Sequence, residues 1–222
     1  MRKYNLSFIF PILLVLFFSS CDDHDRLDSN IYTGYVLTDN HDAMSYDDYL
    51  SQDASRAVGV VFATATVDHP MMAVMLDEVD NIKFADSLGI DQGTSGDLAA
   101  YDGFTNTVAL QNSYNEKTGK GSPLGDIAFR RHLFGQSDYV PSVAEMRLLI
   151  ASLSIVNPII EKLGGTPISK ESSGGGCWYW TSTEVSVNKA RQAWLVSAVN
   201  GAIQETPKDE GHSSRMIVSL NY

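Results

Sequence analysis

The chain is poor in cysteine and in positive charge. Its 222 residues include two cysteines, Cys21 and Cys177, too few for a disulfide framework. Lys and Arg number 16 against 27 Asp and Glu, a net charge of -11. That balance argues against a nucleic-acid partner, whose backbone requires a basic face. The five histidines, His24, His41, His69, His132 and His212, form no i, i+4 pair and no cluster with cysteine, so the spacing of a zinc site is missing. There is no Gly-x-Ser-x-Gly elbow. Gly174-Gly175-Gly176 is not followed by the Lys-Ser/Thr of a phosphate loop. The N-terminal apolar run, Phe8 to Phe18, is shorter than the roughly 20 residues that span a bilayer. The expectation is a chain without catalytic residues, metal or cofactor.

Apolar residues make up 44% and charged residues 19%, a composition that folds rather than one that stays disordered. The first segment is a targeting signal. Arg2 and Lys3 precede an apolar run from Phe8 to Phe18, broken only by Pro11, and Ser19-Ser20 then lead into Cys21. This layout resembles a bacterial lipoprotein signal, in which the cysteine becomes the lipidated first residue. The departure is Phe18, where a smaller aliphatic residue is usual. Residues 1–20 are therefore expected to be removed and Cys21 to carry the anchor. Residues 21–30, with Asp22, Asp23, His24 and Asp25 at their head, read as an acidic tether. An acidic cluster placed there resembles the surface-exposure signal of lipoproteins in the Bacteroides group. It implies an outer-membrane lipoprotein facing the cell exterior.

Residues 31–222 read as one mixed α+β domain. A first strand is expected within Ile31–Leu37, a buried strand at Ala57–Ala63, and an antiparallel neighbour at Met72–Leu76. Residues Met44–Ser55 are ambiguous. Thr105–Asn112 reads as a short helix, Asn115–Gly125 as an exposed loop, and Ile127 as the start of the next ordered stretch. The clearest helix follows Pro141. Ser142 and Glu145 have the spacing of a capping box, and Met146, Leu149, Ile150 and Leu153 fall on one face. A second helix is expected through Val156, Ile159, Ile160 and Leu163, with Pro158 in its first turn and Gly164-Gly165 as its stop. The C-terminal part is β: Cys177–Thr183, Gln192–Val199, a hairpin turn at Asn200-Gly201, a return strand at Ala202–Glu205, and Met216–Leu220.

Several blocks carry a family likeness. They are Tyr139-Val140-Pro141-Ser142 with Glu145, then Gly164-Gly165, then Trp178-Tyr179-Trp180-Thr181-Ser182-Thr183-Glu184, then Trp194, Gly201, Lys208 and Arg215. In order and spacing they resemble the DUF1566-type domains of Bacteroides-group surface lipoproteins, over roughly residues 31–222. Val140, Met146 and Met216-Ile217 depart from that family's usual residues. The resemblance implies a C-type-lectin-like fold, with two helices flanking small antiparallel sheets and long loops at one end. It also implies that the 178–184 block is largely structural.

The candidate chemistry is sparse. The carboxylate-rich loop and strand motifs of calcium-dependent lectins are missing, and Asp39, Asp42, Asp47 and Asp48 read as a solvated face. Cys177 reads as a buried, inert thiol. Trp178, Tyr179, Trp180 and Trp194 are candidates to stack on a ligand, weighed against packing in the core. Glu184 and Arg215 are expected to pair across the end of the sheet. A binding surface is expected in loops 86–125, 169–176, 184–192 and 205–214. The function these readings favour is a non-catalytic, adhesin-like surface module for a glycan or protein ligand. The alternatives are a structural or tip subunit of a surface appendage and, less favoured, a glycan-active enzyme.

Overall fold

A computed structural model of the protein describes residues 31–51, 55–130, 132–133 and 136–220. The leader, Cys21 and the acidic tether lie outside the described residues, and residues 31–222 form a compact unit by themselves.

The elements follow from local chemistry. Strands β1 (Val36–Thr38) and β2 (Ala43–Met44) form a tight hairpin whose turn places His41 at a positive φ of 74°. Helix α1 (Tyr46–Leu50) occupies the ambiguous acidic stretch, started by Ser45, whose hydroxyl accepts the Asp48 N–H. Strand β3 (Ala57–Ala63) has the bounds of its apolar run. Its antiparallel neighbour β4 (Met71–Lys83) outlasts the apolar run Met72–Leu76. The acidic continuation stays extended because the last strand pairs with it as far as Lys83.

Helices α2 (Gly103–Asn112) and α3 (Pro123–Arg130) come next. The sequence does not announce α3. Its opening Pro123 suits a first helical position. Ser122 stands before it as a cap, its hydroxyl accepting the Gly125 N–H at 3.1 Å. A two-stranded hairpin, β5 (His132–Leu133) with β6 (Gln136–Ser137), leads to α4 (Val143–Lys162). Here two expected helices are one. Pro158 lies inside α4, where it removes the bond to the Ser154 carbonyl. Both residues are exposed, so water can take the orphaned acceptor and the helix continues. The capping box is complete: Ser142 Oγ accepts the Glu145 N–H at 3.3 Å, and the Glu145 carboxylate accepts the Ser142 N–H at 2.7 Å. Gly164, at φ 75°, stops the helix.

The chain then forms β7 (Trp178–Glu184), β8 (Gln192–Ser197), β9 (Ile203–Pro207) and β10 (Gly211–Leu220). The Asn200-Gly201 turn joins β8 to β9 as a hairpin, with Val196 opposite Ile203. All but the two short hairpin strands belong to one sheet, ordered β2-β1-β3-β4-β10-β7-β8-β9. It corrects the expectation of several small sheets. It consists of two antiparallel blocks, joined by parallel pairing at Ser213 and Tyr179.

Both faces of the sheet are covered. Val60, Met72, Val74, Tyr179, Val196 and Ile217 point to one side, where Met146, Leu149, Leu153, Val156 and Ile160 of α4 close over them. Val61, Ala73, Met75, Trp180, Leu195 and Met216 point to the other, against Leu110 of α2 and Leu124 and Ala128 of α3. The alternation is that of a pleated strand with two buried faces, which explains the nearly continuous apolar runs. α4 is long and apolar enough to cross a membrane by length and composition, and its inner face is packed into this core.

Candidate functional site

The block Trp178–Glu184 is a buried strand. Tyr179 and Trp180 are fully enclosed, one on each face of the sheet, and cannot stack on a ligand. Trp178 and Trp194 are half-buried against the two core clusters. Pro141, Ser142, Ser182 and Thr183 form the joint between this strand and α4. The Ser182 N–H donates to the Pro141 carbonyl at 2.9 Å, and Thr183 Oγ1 accepts the Val143 N–H at 3.2 Å. Gly165 backs onto β4, where a Cβ would sit 2.9 Å from the Leu76 carbonyl. Gly201 offers its carbonyl to Arg147 Nε at 3.1 Å. Cys177 is buried beside Ser197.

Glu184 and Arg215 do not pair with each other. Glu184 pairs with Lys208 at 2.7 Å, both side chains fully buried. The carboxylate also accepts the N–H groups of Gln92 (2.9 Å) and Thr94 (3.1 Å) and the Thr94 hydroxyl (3.0 Å). The Lys208 ammonium donates further to the carbonyls of Ile90 and Lys189 and to the Gln92 amide oxygen. One buried pair thus ties three segments together: residues 90–94, the loop after β7, and the turn before β10. Burial holds the Lys208 pKa below its ordinary value, and the carboxylate beside it works in the opposite direction.

Arg215 pairs with Glu78 of β4 at 3.3 Å. Its guanidinium also donates to the carbonyls of Met75, Leu76 and Thr166. The Tyr179 hydroxyl donates to Glu78 at 3.0 Å and accepts the Ser169 N–H at 2.8 Å. Burial raises Glu78, opposed by Arg215, and burial also raises the Tyr179 phenol. This second centre pins the segment after α4 to the sheet. A third polar centre is the capping box, where burial lifts Glu145 to about 7 against the pull of its Ser142 hydrogen bonds, with Asp102 adding like-charge repulsion. The polar groups of all three centres are engaged by structural partners, except Arg215 Nε, which is buried without a hydrogen-bond partner among the described residues.

The open chemistry lies elsewhere, in a cleft of about 440 Å³ beside α2 and α3. Its floor is built by close backbone approach. A Cβ on Gly125 would sit 2.6 Å from Leu110 Cβ, so glycine there lets α3 lie on α2. The chain after β4 is stitched to the α3 entry, with the Asp86 N–H donating to the Gly121 carbonyl at 3.0 Å and Asp86 Oδ2 accepting the Gly121 N–H at 2.9 Å. The Ser122 hydroxyl donates to the Phe84 carbonyl at 2.6 Å. Around this floor stand Gln111, Asp126, Arg130 and Tyr114, the last 60% exposed. Arg130 and Asp126 form a bidentate pair, at 2.8 and 3.1 Å. An exposed ring beside an amide, a guanidinium and two carboxylates suits a ligand with an apolar face and several hydroxyl or amide groups.

The cleft falls within the 86–125 region expected to bind, extended by α3. None of Gln111, Tyr114, Asp126 or Arg130 is marked by a motif. Only the Asp126–Arg130 spacing, i to i+4, was legible as a surface pair. Among the described residues, no three His, Cys, Asp or Glu side chains are grouped to hold a metal ion. Asp39 and Asp48 serve local structure: Asp39 accepts the Arg56 N–H at 2.9 Å and Asp48 accepts the Ser45 hydroxyl at 2.6 Å. Comparison with protein-family models, with curated proteins and with solved structures returns no match.

Proposed function

We propose that this chain is a lipid-anchored binding module at the cell surface, non-catalytic, with a C-type-lectin-like arrangement of its two sheet blocks. The observation that carries the proposal is the cleft beside α2 and α3, where exposed Tyr114 stands among Asp86, Gln111, Asp126 and Arg130. Sugars are recognised by an aromatic ring against their C–H face and by planar polar side chains that bond paired hydroxyls, and the cleft supplies both. A glycan is therefore the favoured ligand, and a protein the alternative. The lectin-like arrangement draws support from the parallel pairing between the two antiparallel blocks and from the long 84–102 segment held by Lys208 and Glu184. The anchored location draws on the lipoprotein-like leader ending at Cys21.

The test is a glycan array probed with residues 31–222, with calcium and again with EDTA. Binding to a related set of glycans, weakened about tenfold by Tyr114→Ala (~1.4 kcal/mol), is the expected result. Binding that Tyr114→Ala leaves unchanged would remove the cleft from the account. No binding in either condition would shift the reading to a protein ligand. The rival reading, a structural or tip subunit, draws on β9, the last strand of the sheet, whose outer edge has no partner strand among the described residues.

A further inference from the structure

The cleft beside α2 and α3 carries an imbalance of charge. Its walls include two carboxylates, Asp86 and Asp126, and one guanidinium, Arg130. Arg130 is committed. Its Nη2 and Nε lie 2.8 and 3.1 Å from the two Asp126 oxygens, and that planar pair is neutral as a unit. Asp86 has no such partner. Its Oδ2 accepts the Gly121 N–H at 2.9 Å, which leaves the charge in place, and its Oδ1 has no partner among the described residues. The walls therefore hold one uncompensated negative charge. From Phe84 to Glu116 the chain carries no Lys or Arg, while Asp86, Asp91, Asp97, Asp102 and Glu116 all fall within that span. Lys117 and Lys120 occupy the exposed turn that follows and do not line the cleft.

The uncompensated carboxylate stands close to the exposed ring. Gly121 fixes both: its N–H holds Asp86, and a Cβ placed on it would lie 3.1 Å from Tyr114 Cδ2. A carboxylate beside an open aromatic face is the chemistry that holds a cationic amine. The carboxylate serves as ion-pair partner and acceptor, and the ring attracts the cation through its quadrupole. The Gln111 amide and the Asp126–Arg130 pair remain for hydroxyls. An acidic sugar meets the opposite situation, because its carboxylate would face Asp86 while the one cation on the walls is already paired. We infer that the cleft selects an amino sugar, a glycan residue with a free protonated amine, over its acetylated counterpart and over a uronic acid. The inference rests on the glycan reading proposed above and narrows it.

The test titrates three trisaccharides of one size into the full-length chain, held in a sugar-free non-ionic detergent at about pH 6 and about 0.15 M salt. They are chitotriose, its fully N-acetylated form, and tri-galacturonic acid. The expected order is the amine over the acetylated sugar by about fivefold, with the uronate weakest. Asp86→Asn keeps an oxygen for the Gly121 N–H and should remove the preference for the amine while leaving the acetylated sugar's affinity unchanged. Glu116→Gln removes the same charge outside the cleft walls and should leave the preference intact. Equal or tighter binding of the acetylated sugar, still weakened by Tyr114→Ala, overturns the inference and leaves the glycan reading standing. A preference for the amine that survives Asp86→Asn also overturns it, because the general acidity of the chain then accounts for the effect. Binding of none of the three overturns the inference, and a lysine-rich peptide bound in their place overturns the glycan reading with it.

Discussion

On one face of the sheet, α4 buries Met146, Leu149, Leu153, Val156 and Ile160 in an unbroken helical rhythm, opened by a complete capping box. On the other, the cover is α2, α3 and the long 84–102 segment, held by a buried ion pair, by glycine at a helix crossing, and by side chains bonded to backbone. The first cover is stabilised mainly by apolar area. The second adds a smaller apolar face, Leu110 of α2 with Leu124 and Ala128 of α3, and polar contacts between distant segments help to hold it in place. A surface built that way leaves room between its segments, and the cleft opens there.

If that contrast is sound, the largest loss should come from the ionic side. Lys208→Met strands the Glu184 carboxylate in the core and is expected to cost roughly 3–5 kcal/mol in denaturant unfolding. Adding Glu184→Leu should restore only part of it, because the Gln92 and Thr94 N–H groups then lose their acceptor. On the apolar side, Leu149→Ala should cost about 2–5 kcal/mol through cavity formation. It should leave hydrogen exchange in residues 90–94 unchanged, whereas Lys208→Met should accelerate it. A loss of protection there with Leu149→Ala would break the distinction between the two covers.

Glu145 sharpens the comparison through pH. Its folded pKa is raised to about 7 from 4.5, so the folded state holds a proton that the unfolded state has already released. Its contribution is therefore fully present below about pH 4.5, falls as pH rises toward 7, and is flat above that, a change of ~3 kcal/mol at most. Glu145→Gln keeps an oxygen for the Ser142 N–H and should flatten that part of the stability-versus-pH curve. Ser142→Ala removes the cap to Glu145 and the bond to the Ala100 carbonyl, for a loss of about 1 kcal/mol. Arg130→Ala, which opens an exposed pair at the cleft rim, should change stability by under about 1 kcal/mol.

Much of the α4 side was legible beforehand. The capping box, the apolar face, the glycine stop, β3 and the Asn200-Gly201 hairpin all stand where their local signals put them. The difference there is also local: a sequence puts Pro158 in the first turn of a second helix, because the exposure of the Ser154 carbonyl that lets one helix continue is invisible in it. The other side was legible only in outline. The 86–125 region was marked as a surface by its glycines and polar residues. Helix α3 was missed because its opening Pro123 and its Gly125 read as loop signals until Leu110 is seen beside them. Trp180 and Tyr179 show the same limit, since a strand of aromatics reads alike whether it faces a ligand or two layers of core.

By itself the sequence determined the acidic character of the chain, the leader-like apolar run, the strand and helix periods, and the caps that begin and end α4. These effects act within a turn of helix or between adjacent side chains, and so they are written in short windows. Tertiary structure alone decided which buried charges meet. Glu184 finds Lys208 24 residues away, and Arg215 finds Glu78 across 137 residues. Arg215 meets Glu78 because β10 pairs with β4 in that register, and Glu184 meets Lys208 because the turn between β9 and β10 carries it there. The cleft was decided in the same way. An ion pair and a cavity depend on chain crossings, and no local period encodes them.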